Sequence, residues 1–358
     1  MAAFTSTPKT VFIVGAGASK EVGLPIGSEL KRSIASALDI QVERGYPHLI
    51  SGDHDIYAAL RLMADRDPRQ MDLLRSFQSA CWHIRDAMPQ AISIDNFIDV
   101  HSEDKQIELC GKLAIVRTIL EAEAKSALFV DQLQSRRQLE YEGLEKTWFN
   151  GFFQRLTENC KPSGLVERLN SVVLIIFNYD RCIEQYLYYA LQNFYPSLNA
   201  SDVVSLLLNI EIYHPYGTVG SIPWLRKNDA IEYGATPNPE QLLSLTSQIK
   251  TFTEGTDESS SNVTAIRSHI KKADRLVFLG FAFHRLNLDL LSPHTRGVVE
   301  PVGRSVFATA LNISHSDIEA IRDQLAVRRV LSTGHAQIRN DLTCNQLFRE
   351  YSFRLSFT

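Results

Sequence analysis

The sequence predicts an α/β protein with a doubly wound, Rossmann-like parallel sheet and a large helical insertion. Short apolar runs rich in Val, Ile, Leu and Phe occupy residues 11–14, 172–177 and 275–279, and Gly, Asn or Asp bounds each of them. Such runs are typical of strands that are buried on both faces of a parallel sheet. Helical patterns separate these runs, which indicates alternating strands and helices and hence the doubly wound class.

Weaker patterns supply the other predicted elements. Two further strands are expected at 210–213 and 305–311, and helices are expected from Ser28 and over 93–99, 181–191, 262–272 and 316–326. The interval from about 30 to 165 has many helix-forming residues and no comparable apolar run, so it is predicted to be the insertion.

The whole chain, 1–358, is therefore interpreted as a single domain. Its core is expected at 1–30 and 165–315, with a C-terminal helix and strand segment at 316–358. The acidic, serine-rich stretch at 251–262 is expected to be a loop.

Composition limits the classes of function. The chain has 358 residues and a net charge of −4, which gives no general reason to bind nucleic acid or an anionic membrane. Its five cysteines include no C-x-x-C pair, which argues against a zinc ribbon and suits a reducing compartment. No apolar run reaches the roughly 18 residues of a membrane span, so no membrane contact is expected. We expect a cytoplasmic protein that holds no zinc or other metal.

The first predicted strand leads into Gly15-Ala16-Gly17-Ala18-Ser19. Glycines let a ligand approach the backbone closely, and amides at this point can bind a phosphate or pyrophosphate. Gly15, Ala16, Gly17 and Ser19 are thus candidate nucleotide contacts. The third glycine of a G-x-G-x-x-G fingerprint is replaced by Lys20, and no acidic residue follows at the expected distance, so dehydrogenase use is disfavoured.

Asn178 and Asp180 follow the second buried run, where open α/β sheets bind ligands. The amide of Asn178 can hold a ribose hydroxyl or a water, and the carboxylate of Asp180 can accept from an amide. The alternative is that Asp180 caps the next helix and Asn178 satisfies a turn.

Gly280 directly follows the third buried run and again allows close backbone approach. Phe281 could flank an adenine or a ribose, although an ordinary place in the core is the better interpretation for this ring. His214 precedes a Pro and a Gly-containing turn, and a histidine can act as a general base near neutral pH.

Asp95 and Asp99 lie four residues apart at a predicted helix start. They could form a carboxylate pair or a metal site, but acidic residues at a helix start more often compensate the helix dipole.

Taken in order, GAGAS (15–19), GLP (23–25), FNYD (177–180), HPYG (214–217) and LGFAF (279–283) resemble motifs of the sirtuin superfamily. The chain departs from protein-deacylating sirtuins in three ways. It lacks the four-cysteine zinc module, it has Gly27-Ser28 where they have an arginine, and Pro215-Tyr216 separates His214 from its glycine. The resemblance therefore points to the sirtuin-like NAD hydrolases of bacterial antiphage defence.

This resemblance implies an NAD+ glycohydrolase that releases nicotinamide and ADP-ribose, with NAD+ as its substrate. Asn178 would position the attacking water or the ribose, Asp180 would engage the nicotinamide amide, and His214 would act as the base. The residues implied to hold NAD+ are the glycine loop, Pro25, Gly280, Phe281 and Asn312.

The resemblance also implies a homo-oligomer with a separately encoded partner, a HerA-type DNA translocase ATPase in preference to a short Argonaute. Two other functions stay open. One is a module that senses NAD or ADP-ribose without cleaving it, and the other is a metal-dependent nuclease component in which Asp95 and Asp99 would bind the metal.

Overall fold

The computed structural model of the chain shows an α/β fold built on a six-stranded parallel sheet, as predicted. The structure describes residues 8–43, 48–131, 138–225, 230–251, 254, 261–293, 303–331 and 336–358. Most of the expected loop at 251–262 lies outside these residues.

The described residues include eight strands, and six of them form the main sheet. The order in that sheet is β5-β4-β1-β6-β7-β8, which is 3-2-1-4-5-6 when only its own strands are counted along the chain. This is the order of a doubly wound sheet whose switch point lies at the first strand. The strands are β1 Thr10–Val14, β2 Gln41–Val42, β3 Leu49–Ser51, β4 Val172–Ile176, β5 Glu211–Tyr213, β6 Arg275–Leu279, β7 Ser305–Thr309 and β8 Ala336–Arg339.

Helices surround the sheet and fill the connections between its strands. The α-helices are α1 Ala16–Ser19, α2 Gly27–Ala37, α3 His54–Ala64, α4 Gln70–Ala87, α5 Ile94–Val100, α6 Lys105–Lys125, α7 Tyr141–Leu144, α8 Trp148–Thr157, α9 Leu165–Asn170, α10 Cys182–Phe194, α11 Ala200–Leu207, α12 Pro239–Leu245, α13 Ser261–Lys272, α14 Arg285–Leu291, α15 His315–Val327 and α16 Cys344–Glu350. The 3₁₀ turns are Lys20–Val22, Pro162–Gly164, Pro223–Leu225 and Thr246–Gln248. None of the helices in the described ranges combines the length and apolarity that a bilayer span needs.

Both faces of the sheet are covered. Successive residues of β1 point to opposite faces, so Val11 and Ile13 belong to one hydrophobic cluster and Phe12 and Val14 to another. The first cluster includes residues of α2 to α6, and the second includes residues of α8, α10 and α16. This two-sided burial explains why the strand sequences are continuous apolar runs.

The region between β1 and β4 is helical, as the sequence predicts, apart from one small addition. Residues of β2 and β3 form a short antiparallel pair that the apolar pattern does not reveal. The main sheet also extends past residue 315, because β8 pairs in parallel with β7 at its edge. β8 reads AQIR and is only partly buried, so it carries little apolar signal.

Three glycines let the turns after β1 and β6 pack directly against each other. The Gly15 amide donates to the carbonyl of Leu279 at 2.9 Å, and the Gly17 amide donates to that of Gly280 at 3.1 Å. A Cβ atom on Gly15 would lie 2.6 Å from the Gly280 oxygen. Gly280 has a φ of +55°, and its Cβ atom would lie 2.1 Å from the Ala18 nitrogen. These positions exclude any side chain.

Gly280→Ala is expected to destabilise the fold by about 2–4 kcal/mol, because the new methyl group meets backbone and the left-handed φ penalises alanine. Chemical denaturation measures the loss. Gly27→Ala is the matched control, since a Cβ there meets nothing within 4 Å. It should stay within about 0.5 kcal/mol of the parent. Equal stability of the two variants would contradict the close contact.

Candidate active site

Three separate segments bring the predicted site residues together at the carboxyl edge of the sheet. Ser19 ends the glycine loop after β1, Asn178 and Asp180 follow β4, and His214 follows β5. β4 lies between β1 and β5, so these residues follow three adjacent parallel strands. The three segments are more than 30 residues apart in the sequence, and strand pairing brings them together.

Ser19 connects the two polar residues that follow β4. The Asn178 side-chain amide donates to the Ser19 hydroxyl oxygen at 3.0 Å, and the same hydroxyl acts to lower the pKa of the Asp180 carboxylate. Asp180 also accepts from the backbone amide of Cys182 at 3.2 Å, at the start of α10. Burial is the largest influence on Asp180 and raises its pKa, despite these hydrogen bonds. Asp180 therefore both contacts the helix start and belongs to the polar network.

His214 is held by acceptors at both ring nitrogens. Nε2 lies 2.8 Å from Oε1 of Glu184, and Nδ1 lies 3.3 Å from the carbonyl oxygen of Asn178. A carboxylate and a carbonyl both require a donor, so the geometry suits an imidazolium with two N–H groups. Burial alone would lower the pKa of His214. The Glu184 carboxylate, the Asn178 carbonyl and the charge of Asp180 together outweigh burial and raise this pKa.

The turn after His214 fixes the next segment against β4. The Gly217 amide donates to the His214 carbonyl at 3.0 Å, and the Val219 amide donates to the Tyr179 carbonyl at 3.1 Å. Gly217 has a φ of +77°, and its Cβ atom would lie 1.7 Å from the Gln248 oxygen. The HPYG sequence therefore folds as a tight turn in which only glycine fits at 217.

The glycine loop uses part of its backbone for the fold. The amides of Gly15 and Gly17 donate to the carbonyls of Leu279 and Gly280 at the end of β6, so they do not point toward a ligand. Ala16 and Gly17 are partly exposed, whereas Gly15 and Ser19 are buried. A ligand can therefore reach this loop at Ala16 and Gly17, which is a smaller surface than the sequence predicts.

The other candidate contacts occupy different environments. Pro25 and Gly280 are partly exposed, and Asn312 is exposed just after β7 with a φ of +64°. Phe281 is 3% exposed, and its ring packs edge-on against Phe177 with centroids 5.0 Å apart. The ring of Phe281 is thus a core residue, in agreement with the better of its two interpretations.

Asp95 approaches the site from the insertion. It lies on α5, which Ser93 caps by accepting from the Asn96 amide at 3.1 Å. The Tyr179 hydroxyl donates to the Asp95 carboxylate, and burial raises the pKa of Asp95. Within the described residues, no group of three or more His, Cys, Asp or Glu side chains is arranged to hold a metal ion.

A buried ion pair next to the site was not expected from the sequence. Arg181 and Glu123 have side chains 2% and 0% exposed, and the Arg181 Nε donates to a Glu123 oxygen at 3.1 Å. Arg181 Nη1 also donates to the Ile231 carbonyl at 2.7 Å, and the Gly234 amide donates to Glu123 at 3.1 Å. Burial raises the pKa of Glu123, and the charge of Arg181 opposes that rise.

Sequence reasoning also missed Glu184, the partner of His214. One signal for it exists, because Glu184 lies in the first turn of the helix that directly follows the candidate residue Asp180. Arg181 and Glu123 offer no comparable signal, since 58 residues separate them.

No protein-family model and no curated protein matches this chain.

Glu123→Gln is expected to destabilise the protein by about 3–5 kcal/mol, because it leaves the buried Arg181 charge without its counterion. Denaturant unfolding measures the change. Glu121→Gln makes the same substitution on the same helix at an exposed residue paired with Lys125. That variant should change stability by less than about 1 kcal/mol. A small effect of Glu123→Gln would show that the pair does not hold the site.

Proposed function

We propose that the chain is an NAD+ glycohydrolase, which cleaves the bond between nicotinamide and ribose. The observation that carries the proposal is the polar cluster of Ser19, Asn178, Asp180 and His214, in which Asn178 donates to the Ser19 hydroxyl and its carbonyl accepts from Nδ1 of His214. These residues come from three of the motifs that resemble sirtuins, and they meet at the edge where doubly wound sheets bind nucleotides.

Cleavage of this bond requires that the ribose and the attacking water be oriented, and it does not require a strong acid to protonate the leaving group. The bond breaks through an oxocarbenium-like state, and nicotinamide leaves as a neutral molecule. In the proposed mechanism Asn178 orients the attacking water or the ribose, because Ser19 fixes its side-chain amide. Asp180 lies beside the same serine and accepts a hydrogen bond from the nicotinamide amide.

His214 takes the proton from a ribose hydroxyl or from the water in this proposal. The contacts to Glu184 and Asn178 favour the protonated ring, so the resting enzyme must lose one proton before His214 can act as a base. The phosphates meet the loop at Ala16 and Gly17, and the adenosine half extends toward Gly280 and Asn312.

A module that binds NAD+ or ADP-ribose without cleaving it is the second candidate. The two occupied nitrogens of His214 favour it, because neither has a free lone pair in this arrangement. Intact NAD+ after long incubation, together with saturable binding, would select this candidate.

The proposed enzyme needs control, since uncontrolled hydrolysis would exhaust the NAD+ of its own cytoplasm. We propose that assembly controls the activity, through association with further copies of the chain and with a separately encoded HerA-type ATPase. Light scattering of the chain alone and with that ATPase tests the assembly, and a monomer under both conditions would contradict it.

Asn178→Ala and His214→Ala should each abolish release of nicotinamide, whereas the parent releases nicotinamide and ADP-ribose in equal amounts. Chromatography of the reaction products measures both. His54→Ala, with a side chain 82% exposed, is the control and should retain full activity. An active His214→Ala enzyme would remove His214 from the mechanism.

Activity should rise with pH through an apparent pKa above the ordinary histidine value of about 6.5, because the raised pKa of His214 delays formation of its neutral form. Glu184→Gln removes the negative charge that stabilises the imidazolium. It should move the rising limb to lower pH by about 1–3 units. The pH dependence of kcat for both proteins is the measurement, and an unmoved limb would contradict the role of Glu184.

A further inference from the structure

A pocket of about 450 Å³ lies in the helical insertion, between α3, α4 and the segment that forms β2. All the residues that line it fall between positions 40 and 78, so it shares no residue with the candidate active site. Small-molecule sites have volumes of this order and combine apolar walls with a few polar groups. The pocket is therefore a second candidate binding site.

The pocket has a buried, aliphatic floor and an exposed rim. Ile40 and Leu60 are each 1% exposed and form the floor, and the partly exposed Val42 and Leu74 form the walls. Met71 is 60% exposed and lies at the rim. An alkyl chain that enters from the rim removes its apolar surface from water, which is the favourable term in binding it.

Helical periodicity adds one positive charge to this apolar lining. Tyr57, Leu60 and Arg61 are three and four residues apart on α3, so all three side chains face the pocket from one side of that helix. The guanidinium of Arg61 lies over the ring of Tyr57, 5.9 Å from its centroid. Tyr57 therefore holds the charge against the pocket wall.

This guanidinium is available to an anion. Among the residues that the structure describes, Arg61 forms no ion pair, although Asp65 and Glu240 border the neighbouring depression on its other side. Asp65 accepts from the side-chain amide of Gln70, and Glu240 pairs with Arg66 at 3.3 Å. Both carboxylates are thus engaged elsewhere.

The remaining polar groups of the lining limit the charge of a ligand. The Gln78 side-chain amide donates to the Ile40 carbonyl at 3.0 Å, and Arg75 pairs with Asp72 on its own helix at 3.6 Å. Glu43 is exposed and also lines the pocket, so its negative charge disfavours a ligand that carries several negative charges. The pocket therefore suits a single negative charge on an apolar body.

We propose that this pocket binds a medium-chain aliphatic monocarboxylate. Its carboxylate accepts hydrogen bonds from the Arg61 guanidinium, whose planar N–H groups match the two oxygens of a carboxylate. Its alkyl chain lies against Ile40, Leu60 and Leu74. This binding does not depend on cleavage of NAD+, so it is measured without turnover.

Octanoate is the probe, and ligand-observed NMR titration of the full chain measures its binding. Its Kd should be on the order of 1 mM, as expected for a ligand of this size. Butanoate keeps the carboxylate and shortens the chain, so it should bind at least ~10-fold more weakly. A second control, 1-octanol, keeps the chain and removes the charge.

Arg61→Gln should weaken octanoate binding about 3–10-fold, because it removes the charged donor, and it should leave 1-octanol binding unchanged. Arg69→Gln is the matched control variant. The Arg69 side chain is 83% exposed and does not line the pocket, so this variant should bind octanoate as the parent does. Circular dichroism and thermal unfolding establish that both variants are folded.

Four results would each overturn the proposal. They are the absence of saturable octanoate binding, equal binding of butanoate, unchanged octanoate affinity in Arg61→Gln, and an equal loss of octanoate affinity in Arg69→Gln. The second would show that the apolar walls do not hold the chain, and the last two that Arg61 does not hold the carboxylate. All four are independent of whether the chain cleaves NAD+.

Discussion

The buried ion pair between Arg181 and Glu123 is the interaction on which the geometry of the site depends. Arg181 immediately follows Asp180, and its contacts with α6 and the Ile231 carbonyl hold three distant segments together. Replacing two buried ions by apolar residues can leave a protein equally stable, so stability alone does not explain such a pair. Its specific effect here is positional. The pair fixes where α6 lies relative to the end of β4, and hence where the insertion meets the polar network.

The glycine loop illustrates how one sequence pattern can serve two physical purposes. Close backbone approach is what the glycines permit, and in this chain the first backbone to approach is that of Gly280 rather than a phosphate. The interlocked turns set the distance between β1 and β6 at the switch point. Ligand access is left to Ala16 and Gly17. A glycine-rich turn is therefore better evidence for the edge of the sheet that a ligand would use than for the atoms that would contact it.

Most of the fold could be predicted because strands that are buried on both faces have continuous apolar sequences, and β1, β4 and β6 are such strands. The edge strand β8 could not, since a partly exposed strand of four residues needs no such pattern. In the candidate site, Asn178, Asp180 and His214 were proposed from the sequence because they follow strands. Glu184 and Glu123 were not, because their importance comes from neighbours that only the tertiary fold supplies. Only the structure shows that both ring nitrogens of His214 face acceptors. This arrangement favours the protonated ring, whereas the sequence motif suggests a neutral base.

The central position of β1 has a consequence for synthesis of the chain. Thr10 pairs with Val172 on one side and with Arg275 on the other, and both neighbouring strands follow β1 in the chain. At ribosomal rates of about 5–20 residues per second, β1 stays without a partner for roughly 10–30 s. During that time a fully apolar strand is available to chaperones or to other nascent chains. The helices of the insertion emerge in the same interval, and in the folded protein they pack on both faces of that strand.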